Sequence, residues 1–147
     1  MATPQNQKKI EWLSRFRKSE QELSRLYGEL ERWNTKAEKV TQRISPMPPG
    51  ARDGDRVQDA VERISIVESN ISHEIVEQCA LRNEIARTIA TVPDETMRLL
   101  LQLRYIDGMT FEQIAVKMNY SWRWVIALHG RALQSVHGSS YKKHAIV

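Results

Sequence analysis

The sequence predicts an all-α chain: a long N-terminal antiparallel helical hairpin of coiled-coil character, followed by a C-terminal helix-turn-helix. Three observations predict it. Apolar residues recur at heptad spacing from Trp12 to Ile44 and again from Val57 to Ile85. A stretch rich in Pro and Gly separates the two runs. In the last third, Thr110, Asn119 and Ser121 stand where two short helices in succession need a start, a stop and a second start. The bounds that follow are residues 1–90 for the hairpin, with its break at 45–54, residues 91–137 for the helix-turn-helix, and 138–147 for a flexible basic tail.

The first helix carries Phe16, Leu23, Leu30, Ala37 and Ile44 at one heptad position, and Trp12, Leu26, Trp33 and Val40 at its neighbour, where only Ser19 is polar. This is a narrow apolar seam. Ser45-Pro46-Met47-Pro48-Pro49-Gly50 ends it, because proline removes backbone donors and fixes extended geometry. Arg52, Asp53, Gly54 and Asp55 read as a turn leading into acidic helix-start residues, since they lack the ligand count of a calcium loop.

A second long helix is expected from about Asp55 to Ala90, with Val57, Ile64, Ile71, Gln78 and Ile85 at one position and Ala60, Val67 and Leu81 at another. Glu74 and Gln78 read as polar residues at the seam's wet edge, the alternative being a role in setting register. Cys79, the single cysteine, forms no internal disulfide and is expected as a small buried hydrophobe. Neither helix buries its seam alone, so Phe16, Leu23, Leu30, Trp33, Ile64 and Ile71 are the candidates for self-association or partner binding, as a hairpin or a bundle of hairpins.

In the C-terminal third, Pro93 suits a first helical turn, and Asp94 and Glu95 complement a helix dipole. Thr110 with Gln113 three residues on forms a capping box, so a short helix runs to about Met118. Asn119 tolerates the left-handed conformation that stops it, and Ser121 caps the next helix. A turn that short forces a steep crossing, with Ile114, Ala115 and Met118 facing Val125, Leu128 and Ala132.

The runs Leu103–Ala115 and Asn119–Leu133, with the lead-in Val92-Pro93-Asp94, resemble region four of the bacterial sigma-70 family, and more closely the sigma-like phage regulators of the ArpU and RinA type. The resemblance implies a sigma region four-like fold, binding to double-stranded DNA near promoters and control of late phage genes; on this reading the hairpin self-associates or contacts RNA polymerase. It also implies that residues at the positions of Trp122, Arg123, Trp124, Ile126 and Ala127 face outward and include the base readers. Here Arg123 is the one able to make bidentate hydrogen bonds to a guanine edge. This chain carries Trp122, Ile126 and Ala127 where related phage sequences have polar or basic residues.

Trp122, Arg123 and Trp124 fall in the first turn after Ser121, the part of a recognition helix that enters the major groove. The two indoles admit three readings: apolar contact with thymine methyls, an exposed patch that binds protein, or core. Arg98, Arg104, Lys117, Ser121 and Arg131 are candidates for backbone phosphates, with Lys142 and Lys143 on the tail adding nonspecific affinity. His129 reads as a neutral surface histidine.

Charge distribution agrees with this division. From Met97 onward seven basic residues face two acidic ones, a net +5, while the first 96 residues hold 15 basic and 16 acidic. With 41% hydrophobic and 27% charged residues the composition is that of a folded chain. There is no apolar run of spanning length and no apolar core of a signal peptide in MATPQNQKK, so no membrane association and a cytoplasmic location in a bacterial host are expected. No cofactor and no metal are expected, because His73, His129, His137 and His144 are not set at ligand spacing with cysteines or carboxylates. Without a phosphate loop, nucleophile elbow or triad the chain does not read as an enzyme. The reading is therefore a DNA-binding regulator that self-associates. The alternatives are a small terminase subunit recognising packaging DNA as a ring, and a protein-binding module that keeps the fold without specific readout.

Overall fold

A computed structural model describes residues 3–43 and 51–137. The Pro/Gly run and Ile44 fall outside them, as does the tail with Lys142 and Lys143. The described residues form helices joined by short turns, without a strand: α1 (Pro4–Leu13), α2 (Arg15–Arg43), α3 (Ala51–Ala90), α4 (Glu95–Tyr105), α5 (Phe111–Met118) and α6 (Trp122–Gln134).

The first helix differs from its expected form. Instead of one run through Trp12, the chain bends at Ser14, with the backbone ladder kept on both sides by Ser14 N–H donating to the Ile10 carbonyl and Lys18 N–H to the Ser14 carbonyl. Thr3 caps α1 by accepting from the Asn6 N–H, and Pro4 occupies the first turn, where its missing donor costs nothing. The second long helix starts earlier than expected, at Ala51, so residues 52–55 are its first turns and not a loop.

Packing divides the chain into two units, one of residues 1–19 with 78–147 and one of residues 20–77. The first unit has two joined cores. One gathers Trp12, Leu13 and Phe16 from the N-terminal segment, Ile85 and Ile89 from the end of α3, Val92 from the turn after it, and Leu101, Tyr105, Ala132, Leu133 and Val136. The other holds Leu100, Leu103, Ile114, Ala115, Val125 and Leu128, with Met118 packed against it. Ala132, expected opposite Ile114 and Ala115, lies instead in the first of these. An eight-residue α5 reaches only the opening turns of α6, and the last turns meet α1 and α4.

The second unit is thinner. Leu26, Val67 and Ile71 form its core, with Leu23, Leu30 and Trp33 half-buried against them. Glu74 and Gln78 are half-buried on α3, at the edge of the apolar register. Cys79 is exposed, contrary to expectation. One residue beyond Gln78, it is turned about 100° from the seam.

Candidate nucleic-acid interface

The local chemistry of the last three helices is that of the sequence signals. Thr110 Oγ1 accepts from the Gln113 N–H at 3.2 Å and Gln113 Oε1 accepts from the Thr110 N–H at 2.9 Å, closing the capping box. Asn119 ends α5 at φ 57 and ψ 45, the left-handed conformation, with the Tyr120 N–H donating to the Ala115 carbonyl. Ser121 Oγ accepts from the Trp124 N–H at 3.2 Å and starts α6. Asp94, not Pro93, opens α4: its carboxylate accepts from the Met97 N–H at 2.9 Å, leaving Pro93 ahead of the cap. Gly108, at φ 70, makes the turn from α4 to α5 that a side chain would strain.

These caps present the start of α6 to solvent. Trp122 and Trp124 are 50% and 42% exposed, which removes the core reading for both, and Arg123 is exposed between them. Tyr120 in the turn and Val116 on α5, the latter 83% exposed, add apolar surface nearby, and Lys117 is exposed on α5. Arg131, two turns further along α6, sets its guanidinium 5.6 Å from the Trp124 ring centroid.

The other cations are tied more closely to the chain. Arg98 donates to the carbonyls of Val92 at 3.2 Å and Pro93 at 3.4 Å, fastening the turn between α3 and α4. Arg104 donates to the Met109 carbonyl at 3.0 Å and lies 4.1 Å over the Phe111 ring, fastening the turn between α4 and α5. Burial, with the Arg17 charge nearby, lowers the pKa of Arg104. Among the residues read as partner-binding, Phe16 is committed to the core of the first unit. In the second unit, Ile71 is buried in the core, whereas Leu23, Leu30, Trp33 and Ile64 stay half-exposed.

His129 is not at the surface. It is buried beneath α4 and α5, where Nε2 lies 2.7 Å from the Tyr105 hydroxyl and the Phe111 ring meets the imidazole edge at 4.9 Å. Burial, and secondly the Arg104 charge, push its pKa down to about 4, so it is neutral at physiological pH. Burial pushes the Tyr105 hydroxyl up, so a protonated phenol and a neutral imidazole share this hydrogen bond.

Sequence reasoning missed α1 as part of this site. Lys9 is buried, and its Nζ donates to the Leu133 carbonyl at 2.8 Å, while Asn6 Nδ2 donates to the Gly130 carbonyl at 3.4 Å. Both carbonyls belong to the C-terminal half of α6, whose dipole favours a cation. Burial lowers the Lys9 pKa. The signal was present in Thr3-Pro4, a helix start, followed by an apolar triple at Ile10, Leu13 and Trp12. The division into units also sharpens the charge asymmetry. The unit containing α4–α6 carries 14 basic and 6 acidic residues, a net +8, and the other carries 8 and 12, a net −4.

Residues 94–137 match the family Sigma-70, region 4. The region 4 match opens at the Asp94 cap, closes just after α6, and makes this a DNA-binding helix-turn-helix domain. It leaves out Trp12, Leu13, Phe16, Ile85, Ile89 and Val92, six of the eleven buried residues of the domain's first core. No curated protein and no solved structure matches the chain.

Proposed function

We propose that the protein is a sequence-specific transcriptional regulator of phage or prophage origin, acting in the bacterial cytosol on promoters of late genes, with RNA polymerase as a partner. The observation that carries it is the exposed, Ser121-capped first turn of α6, with Arg123 between two outward indoles on a unit of net +8. A helix start of this kind enters the major groove, Arg123 reads a guanine edge, and the indoles contact thymine methyls or sugars. Lys117 and Arg131 reach phosphates and set the docking angle. Late-gene control rests on the resemblance to regulators of the ArpU and RinA type. Self-association through the second unit completes the reading.

The exposed cluster of Val116, Tyr120, Trp122 and Trp124 favours a second reading, a protein-binding face on a helix-turn-helix scaffold. Competition binding of the full chain to fragments of the genome that encodes it separates the two. A regulator prefers one fragment over the rest by at least about a thousandfold at physiological salt. Equal binding to all fragments, vanishing as salt rises, contradicts the regulator and leaves the protein-binding face.

A further inference from the structure

The second unit holds a groove of about 750 Å³ between α2 and α3. Its floor is apolar: Trp33, Val40, Ala60 and Ile66, the last 52% exposed. Lys36, Lys39, Arg56 and Arg63 rim it against Asp59 and Glu62, a net +2. None of these four cations forms an ion pair among the described residues, and Lys36 rests its ammonium 4.6 Å from the Trp33 ring centroid. The groove is therefore an apolar slot with surplus positive charge on a unit that is otherwise acidic.

The complementary surface lies on α2 itself. Glu20, Tyr27 and Glu31 are spaced by seven and four residues, which puts them on one face, and all three are exposed, Tyr27 at 49%. Glu22 and Glu29 are held by Arg25 at 2.7 and 3.6 Å, whereas Glu20 and Glu31 make no ion pair among the described residues. We propose that the groove of one copy receives the Glu20–Tyr27–Glu31 face of a second copy of this chain. The phenol ring fills the slot over Trp33 and Ile66, and the two carboxylates meet the basic rim. A duplex is a poor occupant, since the floor is apolar and the unit as a whole is net negative.

The geometry also sets the kind of assembly. Tyr27 and Lys36 are nine residues apart, two and a half helical turns, and so lie on opposite sides of α2. A contact joining opposite sides is heterologous, leaving a free face on one end and a free groove on the other, so it propagates to a ring or chain and does not close as a two-fold dimer. This deepens the self-association part of the reading above. It does not depend on DNA recognition, which fragment binding tests separately.

Sedimentation velocity of the full chain over a wide concentration range tests it, with two double variants, Lys39→Glu/Arg63→Glu in the groove and Glu20→Lys/Glu31→Lys on the face. Wild type assembles beyond a dimer, and each double variant assembles at least about tenfold more weakly, because like charges meet in the contact. Mixing the two variants restores assembly beyond a dimer, because the native face of the groove variant fits the native groove of the face variant and the new lysines of the face variant meet the new glutamates of the groove variant. Recovery in the mixture shows that both variants are folded. A monomeric wild type, a closed wild-type dimer, variants that assemble like wild type, or a mixture that stays monomeric would each overturn the proposal. A wild type that stays monomeric yet binds an acidic peptide in the groove gives that site to a different partner.

Discussion

Deletion of residues 1–13 is expected to unfold the DNA-binding unit, although the deletion lies more than eighty residues from the region 4 match. Trp12 and Leu13 are 5% and 0% exposed in its core, each stabilising by about 1.5–3 kcal/mol when buried. Loss of Lys9 and Asn6 removes two side-chain hydrogen bonds to α6 carbonyls, each worth about 0.5–1.5 kcal/mol net. The total is on the order of 5 kcal/mol, comparable with the whole stability of an ordinary domain. Leu13→Ala alone costs about 2–5 kcal/mol. Urea denaturation and helical ellipticity of the truncated chain check this, together with the isolated fragment 94–137, which is expected to lack a cooperative transition. A fragment that melts cooperatively on its own would show that α1 is an accessory.

The unit is also expected to lose stability on acidification, in a window set by His129. Its pKa is about 4 in the folded chain against about 6.5 when exposed. Below pH 6.5 the unfolded chain takes up a proton that the buried imidazole refuses, so the unfolded state gains. The contribution is complete above about pH 6.5, falls as pH drops, and is gone near pH 4. The difference corresponds to about 3 kcal/mol. His129→Phe removes the titration while keeping a planar ring against Phe111. It leaves the Tyr105 hydroxyl unpaired, at about 1–3 kcal/mol, so the variant is weaker at neutral pH yet flatter between pH 6.5 and 4. Urea midpoints at a series of pH values read both effects, and a variant as steep as wild type would rule out His129 as the origin.

What the sequence discloses and what it hides follows from the range of the interactions. The caps at Thr110, Asn119 and Ser121 act across three or four residues, so their side chains announce the turn whatever surrounds it. Lys9 and Leu133 are 124 residues apart, and nothing local marks them as partners. The heptad pattern has the same ambiguity: Phe16 and Leu23 occupy equivalent positions, yet one meets the DNA-binding unit and the other the α2–α3 pair. Periodicity says which face is apolar, not what covers it. His129 reads as a surface residue from sequence because its hydrogen-bond partner, Tyr105, is 24 residues away on another helix. Arg98 and Arg104 read as phosphate ligands for the same reason, their backbone acceptors being invisible until the turns around α4 are built.

The most direct measurement is the affinity of wild type, Arg123→Ala and Lys117→Ala for the preferred genomic fragment and an unrelated duplex, by fluorescence anisotropy over a salt series. With the first turn of α6 in the major groove, Arg123→Ala loses about 1–3 kcal/mol on the preferred fragment and little on the other. Lys117→Ala weakens both alike and lowers the salt slope by about one. An Arg123→Ala protein that keeps wild-type affinity and preference would contradict DNA readout through this turn and transfer the Trp122–Trp124 surface to a protein partner.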